Sequence, residues 1–92
     1  MKLNAYVIRD KKAGFYNNPF YLHNDDIAKR TMTDLVNDPE SQINHHPEDF
    51  SIWKVGVYDN EIALFEPCEL ECIAYAHHLP INVKITPQSE TE

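Results

Sequence analysis

Apolar and polar positions alternate most clearly at the start of the chain, with Leu3, Ala5 and Val7 on one side of an extended segment and Asn4, Tyr6 and Ile8 on the other. This period of two predicts a strand over Leu3 to Arg9. Both sides are partly apolar, as in a central strand covered on two faces. Asp10 to Asn18 has no such period and reads as a loop, in which Gly14 supplies a positive φ and Asn17-Asn18 precede Pro19. Phe20, Tyr21 and Leu22 form a short second strand.

The period then lengthens. Ile27, Ala28, Thr31, Met32, Leu35 and Val36 recur at the spacing of one helical face, leaving Lys29, Arg30, Thr33 and Asp34 toward water. Asn24 or Asp25 caps the free amides, and Asp25 and Asp26 place negative charge at the positive end of the helix dipole. Asn37 suits a left-handed cap and Pro39 cannot continue a helix, so the span is Asp25 to Val36.

Glu40 to Asp49 is polar and reads as a surface loop. Phe50 to Tyr58 alternates again, with Ser51, Trp53, Val55 and Val57 opposite Phe50, Ile52, Lys54 and Gly56. A tight turn at Asp59-Asn60 returns the chain as a hairpin partner over Glu61 to Glu66, and Pro67 interrupts it. Leu70, Cys72 and Ala74 opposite Glu69, Glu71 and Ile73 predict a further strand to about Ala76, with a short helix as the alternative. Beyond Pro80, the alternating Ile81, Val83 and Ile85 suggest an edge strand.

This order predicts an α+β fold: one domain over residues 1–86, with an antiparallel or mixed sheet of about four to five strands and one helix (about 25–36) on one face. The polar residues 87–92 have nothing to bury and are expected to be disordered.

The length of 92 residues, 42% of them hydrophobic, suffices for one core. A chain of this size buries only roughly 60–65% of its unfolded surface, so a homodimer is one way of burying more. The charged, alternating N-terminal segment is neither a signal sequence nor a membrane span, and the expected location is the cytoplasm of the cell that makes it. Cys68 and Cys72 are too few for a disulfide framework and read as reduced thiols.

The net charge of −7 is uneven: four basic residues and one acid up to Asn24 give +3, and four basic residues against fourteen acids afterwards give −10. Such a chain can meet a polyanion through a short basic segment while the rest repels it, which argues against extended duplex binding. The plain alternative is an acidic surface that confers solubility.

Five histidines (His23, His45, His46, His77, His78) and the Cys68-x3-Cys72 pair raise the question of zinc. Only one half-site of a zinc knuckle is present, and adjacent histidines on a strand point to opposite faces, so no metal is expected. Gly14 and Gly56 are the only glycines, which excludes a P-loop or a dinucleotide fingerprint. Nothing marks a nucleophile with a base and an oxyanion hole. The chain is expected to be no enzyme and to need no cofactor.

The segment from Arg9 to Tyr21 stands out. It combines Arg9, Lys11 and Lys12 with Phe15, Tyr16 and Tyr21, residue types that neutralise phosphates and stack unpaired bases, each stacked base contributing on the order of 1–3 kcal/mol. The competing reading gives two of the segment's aromatic rings to the core and the lysines to solvation of a loop.

A set of motifs in fixed order carries a resemblance: Met1 to Asp10, then Gly14-Phe15, Pro19-Phe20-Tyr21, His23-Asn24-Asp25, Val36-Asn37-Asp38-Pro39, and His46 to Phe50 before a strand. Together they resemble the small non-structural protein of gokushoviruses, single-stranded DNA phages of the Microviridae. The resemblance covers residues 1 to about 58, and the chain departs from the pattern beyond Tyr58. It implies a non-structural protein of the bacterial host's cytoplasm, associated with genome replication or single-stranded DNA binding, and brings no catalytic residues. Two functions follow as expectations. One is single-stranded DNA binding through Arg9, Lys11, Lys12, Phe15, Tyr16 and Tyr21. The other is an acidic module that binds the phage replication initiator or a host replication or defence protein.

Overall fold

The first strand organises the sheet. In the computed structural model, which describes residues 1–80, β1 (Lys2–Asp10) is paired along both edges, as its two-sided apolar pattern requires. Along one edge lie two short strands end to end, β2 (Phe15–Tyr16) and β3 (Phe20–Leu22); along the other runs β4 (Phe50–Asp59), with β5 (Leu64–Tyr75) beyond it. Every pairing is antiparallel. The result is the expected α+β arrangement, a five-stranded sheet with one main helix, α1 (Asp25–Val36), on one face.

Where β1 turns into β2, the Asp10 carboxylate accepts hydrogen bonds from the Lys12 and Ala13 amides, and Gly14 closes the turn at φ +84°. Between β2 and β3, the Asn17 side chain takes the place of a ladder bond. Its Oδ1 accepts from the Ile8 amide at 2.7 Å while the Asn17 backbone N–H donates to the Ile8 carbonyl. The expected loop over Asp10 to Asn18 thus contains a two-residue strand, held by side-chain bonds that hydrophobic periodicity does not report.

Asn24 caps α1 through Oδ1 and the Ile27 amide, 2.8 Å apart. Ala28, Met32 and Val36 are buried against Tyr6 and Ile52 of the sheet. The C-cap differs from expectation: Asn37 has φ −94° and ψ 0°, outside the left-handed region. It closes the helix by donating from Nδ2 to the Thr33 carbonyl, 2.8 Å away, which removes the need for a left-handed residue.

The segment Glu40 to Asp49 is not a plain loop. It folds into the short helix α2 (Gln42–His45), capped by Ser41, and a 3-10 turn (Pro47–Asp49). The reason is Ile43, its one aliphatic side chain, which is buried in the core. Likewise β5 is one strand across Pro67. Three residues, Cys68, Glu69 and Leu70, oppose Val55 alone, and this irregularity accommodates a proline in a strand that, among the described residues, is paired on one edge only. Leu70 to Tyr75 is strand, not helix, and the chain then makes a 3-10 turn (Ala76–His78). The hairpin loop runs over residues 60–63, longer than a two-residue turn, with Ala63 at φ 57°. The strand expected from Ile81 and the tail from Pro87 lie outside the described residues. Among the described residues, no helix is long and apolar enough to cross a membrane.

One polar link ties helix to sheet. Tyr6, fully buried, donates its hydroxyl to Asp25 Oδ1 at 2.7 Å and accepts from Asn4 Nδ2 at 3.0 Å. Burial, reinforced by the bond to the Asp25 carboxylate, raises the phenol from 10.0 to about 12. The neutral phenol is the form favoured by folding, so its stabilisation is complete below pH about 10 and is lost as the pH rises toward 12. Tyr6→Phe should cost about 1–3 kcal/mol at neutral pH. Urea unfolding from pH 8 to 12 should show the native chain losing stability more steeply than the variant above pH 10, and parallel curves would refute the link.

Candidate functional site

A β-bulge determines what the second face of the sheet displays. On β1, Ala5 lies opposite Gly56 and Tyr6 opposite Lys54, so Val55 is the extra residue and the two-residue period of β4 slips there. The expected grouping of Ser51, Trp53, Val55 and Val57 on one face is therefore incorrect. Ser51 and Trp53 share their face with Gly56 and Tyr58, whereas Val57 is displaced to the helix side. One inserted residue exchanges a valine for a tyrosine on the open face.

Cross-strand partners point the same way, so the register lists this face directly. Leu3, Ala5, Val7 and Arg9 of β1 lie beside Tyr16 and Tyr21 on one edge and beside Tyr58, Gly56, Trp53 and Ser51 on the other. Phe65 and Tyr75 join from β5. Among the described residues no helix covers this face, yet Ala5 is fully buried and Val7 is 6% exposed. The rings provide that cover. Tyr21 and Tyr58 meet at 5.4 Å between centroids, and the Phe65 ring lies directly over Gly56. Tyr16, Tyr21, Phe65 and Tyr75 nevertheless remain exposed.

Charge enters at one end of this face. The Arg9 guanidinium stands 5.2 Å from the Tyr16 ring centroid, a cation–π contact that holds it upright on the surface. Beside it, where the C-terminal ends of β1 and β5 meet the start of β4, a cleft of about 230 Å³ is lined by Arg9, Lys11, Trp53, Tyr75 and His77 together with the stretch over residues 48–51. The Lys11 amide donates to the Asp49 carbonyl at 2.8 Å, fixing the β1–β2 turn to the wall of the cleft. Trp53 Nε1 donates to Ser51 Oγ at 2.8 Å, which fixes the indole and leaves only its π faces to offer. The Tyr75 ring packs against His77 and His78.

The six residues singled out in the sequence divide. Arg9, Tyr16 and Tyr21 stand on the open face and Lys11 lines the cleft at its end. Phe15 pairs with Asp10, one position out of phase with Arg9 and Tyr16, and so points the other way. Lys12 lines a second cleft, with Asp10, Gln42 and His46. Trp53, Tyr58, Phe65, Tyr75 and His77 complete the face and its cleft but went unnoticed as site residues. Their signal was aromatic residues recurring in two strands, and their convergence depends on the bulged register.

Ligating atoms of His46, Glu48 and Asp49 lie within 4.8 Å of one another. Both His46 and Glu48 are exposed, and with Asp49 they also line the second cleft, in which Lys12 adds a positive charge. The two cysteines are free thiols, Cys68 exposed and Cys72 partly buried.

The fold and site define a small α+β protein with an aromatic sheet face that carries Arg9 and Lys11 at one end. The family described as Phage ORF5 protein matches residues 3–79, and the chain belongs to that family; it is a phage protein. No curated protein and no solved structure matches it.

The ring cover makes a specific demand on Gly56. A Cβ there would fall 2.6 Å from the Glu66 carbonyl oxygen and 2.7 Å from Phe65 Cζ. Gly56→Ala should therefore destabilise the fold by about 1–3 kcal/mol through overpacking. Thermal unfolding should show the loss, with near-ultraviolet dichroism reporting displaced rings; an unchanged melting curve would mean that Phe65 is not seated there.

Proposed function

We propose that the protein is a non-structural accessory factor in phage genome replication that binds single-stranded DNA, without catalysis, across the open sheet face. The observation that carries this reading is the Arg9 guanidinium poised over the Tyr16 ring, on the same face as Tyr21 and Tyr58 and next to Lys11. Unpaired bases stack on exposed rings while cations take the phosphates, and the mixture tolerates any sequence. The gokushovirus resemblance supports the reading, because a phage with a single-stranded genome must handle unpaired bases in the host cytoplasm.

Titration of a fluorescently labelled oligonucleotide should give affinity that falls as salt rises, and Lys11→Ala should lower the slope of log K against log salt by about 0.7. Tyr16→Ala should weaken binding by about 1–3 kcal/mol at constant salt. Absence of binding at low salt would refute the proposal.

The β4–β5 hairpin favours a second reading. It carries Asp59, Glu61, Glu66, Glu69 and Glu71 together with exposed Ile62, Leu64, Phe65 and Leu70, and among the described residues β5 is paired on one edge only. An acidic arm with apolar side chains fits a basic partner, either the phage replication initiator or a host replication or defence protein. The purified initiator should bind in a stoichiometric complex that Leu70→Asp weakens at least tenfold; if neither the initiator nor a host protein from infected cells forms such a complex, this reading fails.

A further inference from the structure

The cleft at the basic end of the face has an unusual charge distribution. It brings two cations, Arg9 and Lys11, together with two carboxylates, Glu48 and Asp49, around the Trp53 and Tyr75 rings. The only ion pairs among the described residues are those of the Met1 ammonium, so neither cation is neutralised by a carboxylate within the cleft. Glu48 and Asp49 sit on the rigid 3-10 turn, which the Lys11 amide clamps through the Asp49 carbonyl.

A ligand that satisfies every group in this cleft must itself be anionic at one point, flat in the middle and rich in hydrogen-bond donors at another. A purely anionic ligand meets repulsion from Glu48 and Asp49, and a purely cationic one meets Arg9 and Lys11. A nucleotide whose base carries an exocyclic amino group meets all three conditions. Its phosphate faces the cations, its ring stacks on Trp53 or Tyr75, and its amino group donates to a carboxylate, as cytosine N4 does to Glu or Asp. Thymine has the O4 carbonyl where cytosine has the amino group, and its single donor, N3–H, is flanked by two carbonyl oxygens, so a carboxylate that approaches it also meets lone pairs.

We infer that this cleft is a base-selective pocket for single-stranded DNA, in which Glu48 and Asp49 accept from the exocyclic amino group of a stacked base and disfavour thymine. The inference rests on the proposed single-stranded DNA binding and adds a preference to it. Face stacking alone is indifferent to base identity, whereas the two carboxylates are not.

The test compares labelled homopolymers of dC and dT of equal length by fluorescence anisotropy, at low salt, at pH 8 and with a chelator present. The native protein should bind the dC strand about tenfold tighter than the dT strand, the discrimination of one well-placed base contact. In the double variant Glu48→Gln, Asp49→Asn the ratio should fall toward one, chiefly because dT binding improves once the carboxylate charge is gone. Both substitutions preserve side-chain size on a surface turn. Equal native binding of dC and dT would overturn the pocket while leaving single-stranded DNA binding intact. Binding of neither strand would overturn both. A preference that survives in the double variant, or that appears only when magnesium replaces the chelator, would also refute it, the latter by assigning the carboxylates to a bridging cation.

Discussion

A twelve-residue helix is about 18 Å long and can cover only one face of a sheet. This constraint shapes the whole molecule. The helix face is solved conventionally, with Tyr6, Ala28, Met32, Val36 and Ile52 excluding water and the Tyr6 hydroxyl satisfied by Asp25 and Asn4. The other face has no such layer among the described residues. Large rings beside small residues do the covering instead: Ala5 is fully buried, and the Phe65 ring comes so close to Gly56 that it leaves no room for even a methyl group. Phe65 meets Gly56 through one end of its ring and itself stays 40% exposed. The exposed aromatic surface is thus a consequence of how the sheet is sealed, and any binding function makes use of a surface the fold already requires.

The parts of this fold that were legible in the sequence are those where one period persists over several residues. The α1 helix kept its apolar face and its Asn24 cap, and β1 kept the two-sided pattern of a central strand. Reading failed where a phase or a boundary depends on a partner strand. The bulge at Val55 is invisible in Phe50 to Tyr58 taken alone, because a period of two continues through it in the letters while the backbone skips a step. Pro67 reads as a stop signal unless it is known that, among the described residues, β5 lies at the edge of the sheet. A short polar stretch such as Gln42–His45 becomes helical on account of one buried side chain, Ile43, which is too little for any periodicity to register.

The candidate site was legible to the same degree and for the same reasons. Proximity in sequence brought Arg9, Tyr16 and Tyr21 to notice, and the hairpin between β1 and β2 does place Arg9 against Tyr16. The same hairpin separates Tyr16 from Phe15 and Lys11 from Lys12, since neighbours on strands and in tight turns diverge. A cluster of six therefore resolves into four residues on or beside the open face and two elsewhere. What completes it comes from β4 and β5, some 40 to 60 positions later in the chain, and those contributions are set by tertiary register.

The two ends of the long sheet differ in charge, cations and carboxylates balancing around the cleft while the hairpin is acidic, which bears on how much of the sheet a polyanion can use. Arg9 and Lys11 mark one end, whereas Asp59, Glu61 and Glu66 mark the other, where the Met1 ammonium lies 2.8 Å from Glu61. The molecule is 54 Å in its longest dimension, several times the distance of about 8 Å over which physiological salt screens a charge. Each end therefore acts on its surroundings almost independently. On the proposed reading a nucleic acid strand gains from Arg9 and Lys11 and is repelled at the hairpin, which would confine its footprint to a few nucleotides and limit its affinity through the small number of phosphates neutralised. The hairpin remains free for a partner of opposite charge. Attraction and repulsion are separated along one sheet, so the two functional readings occupy different ends of the protein and do not exclude each other.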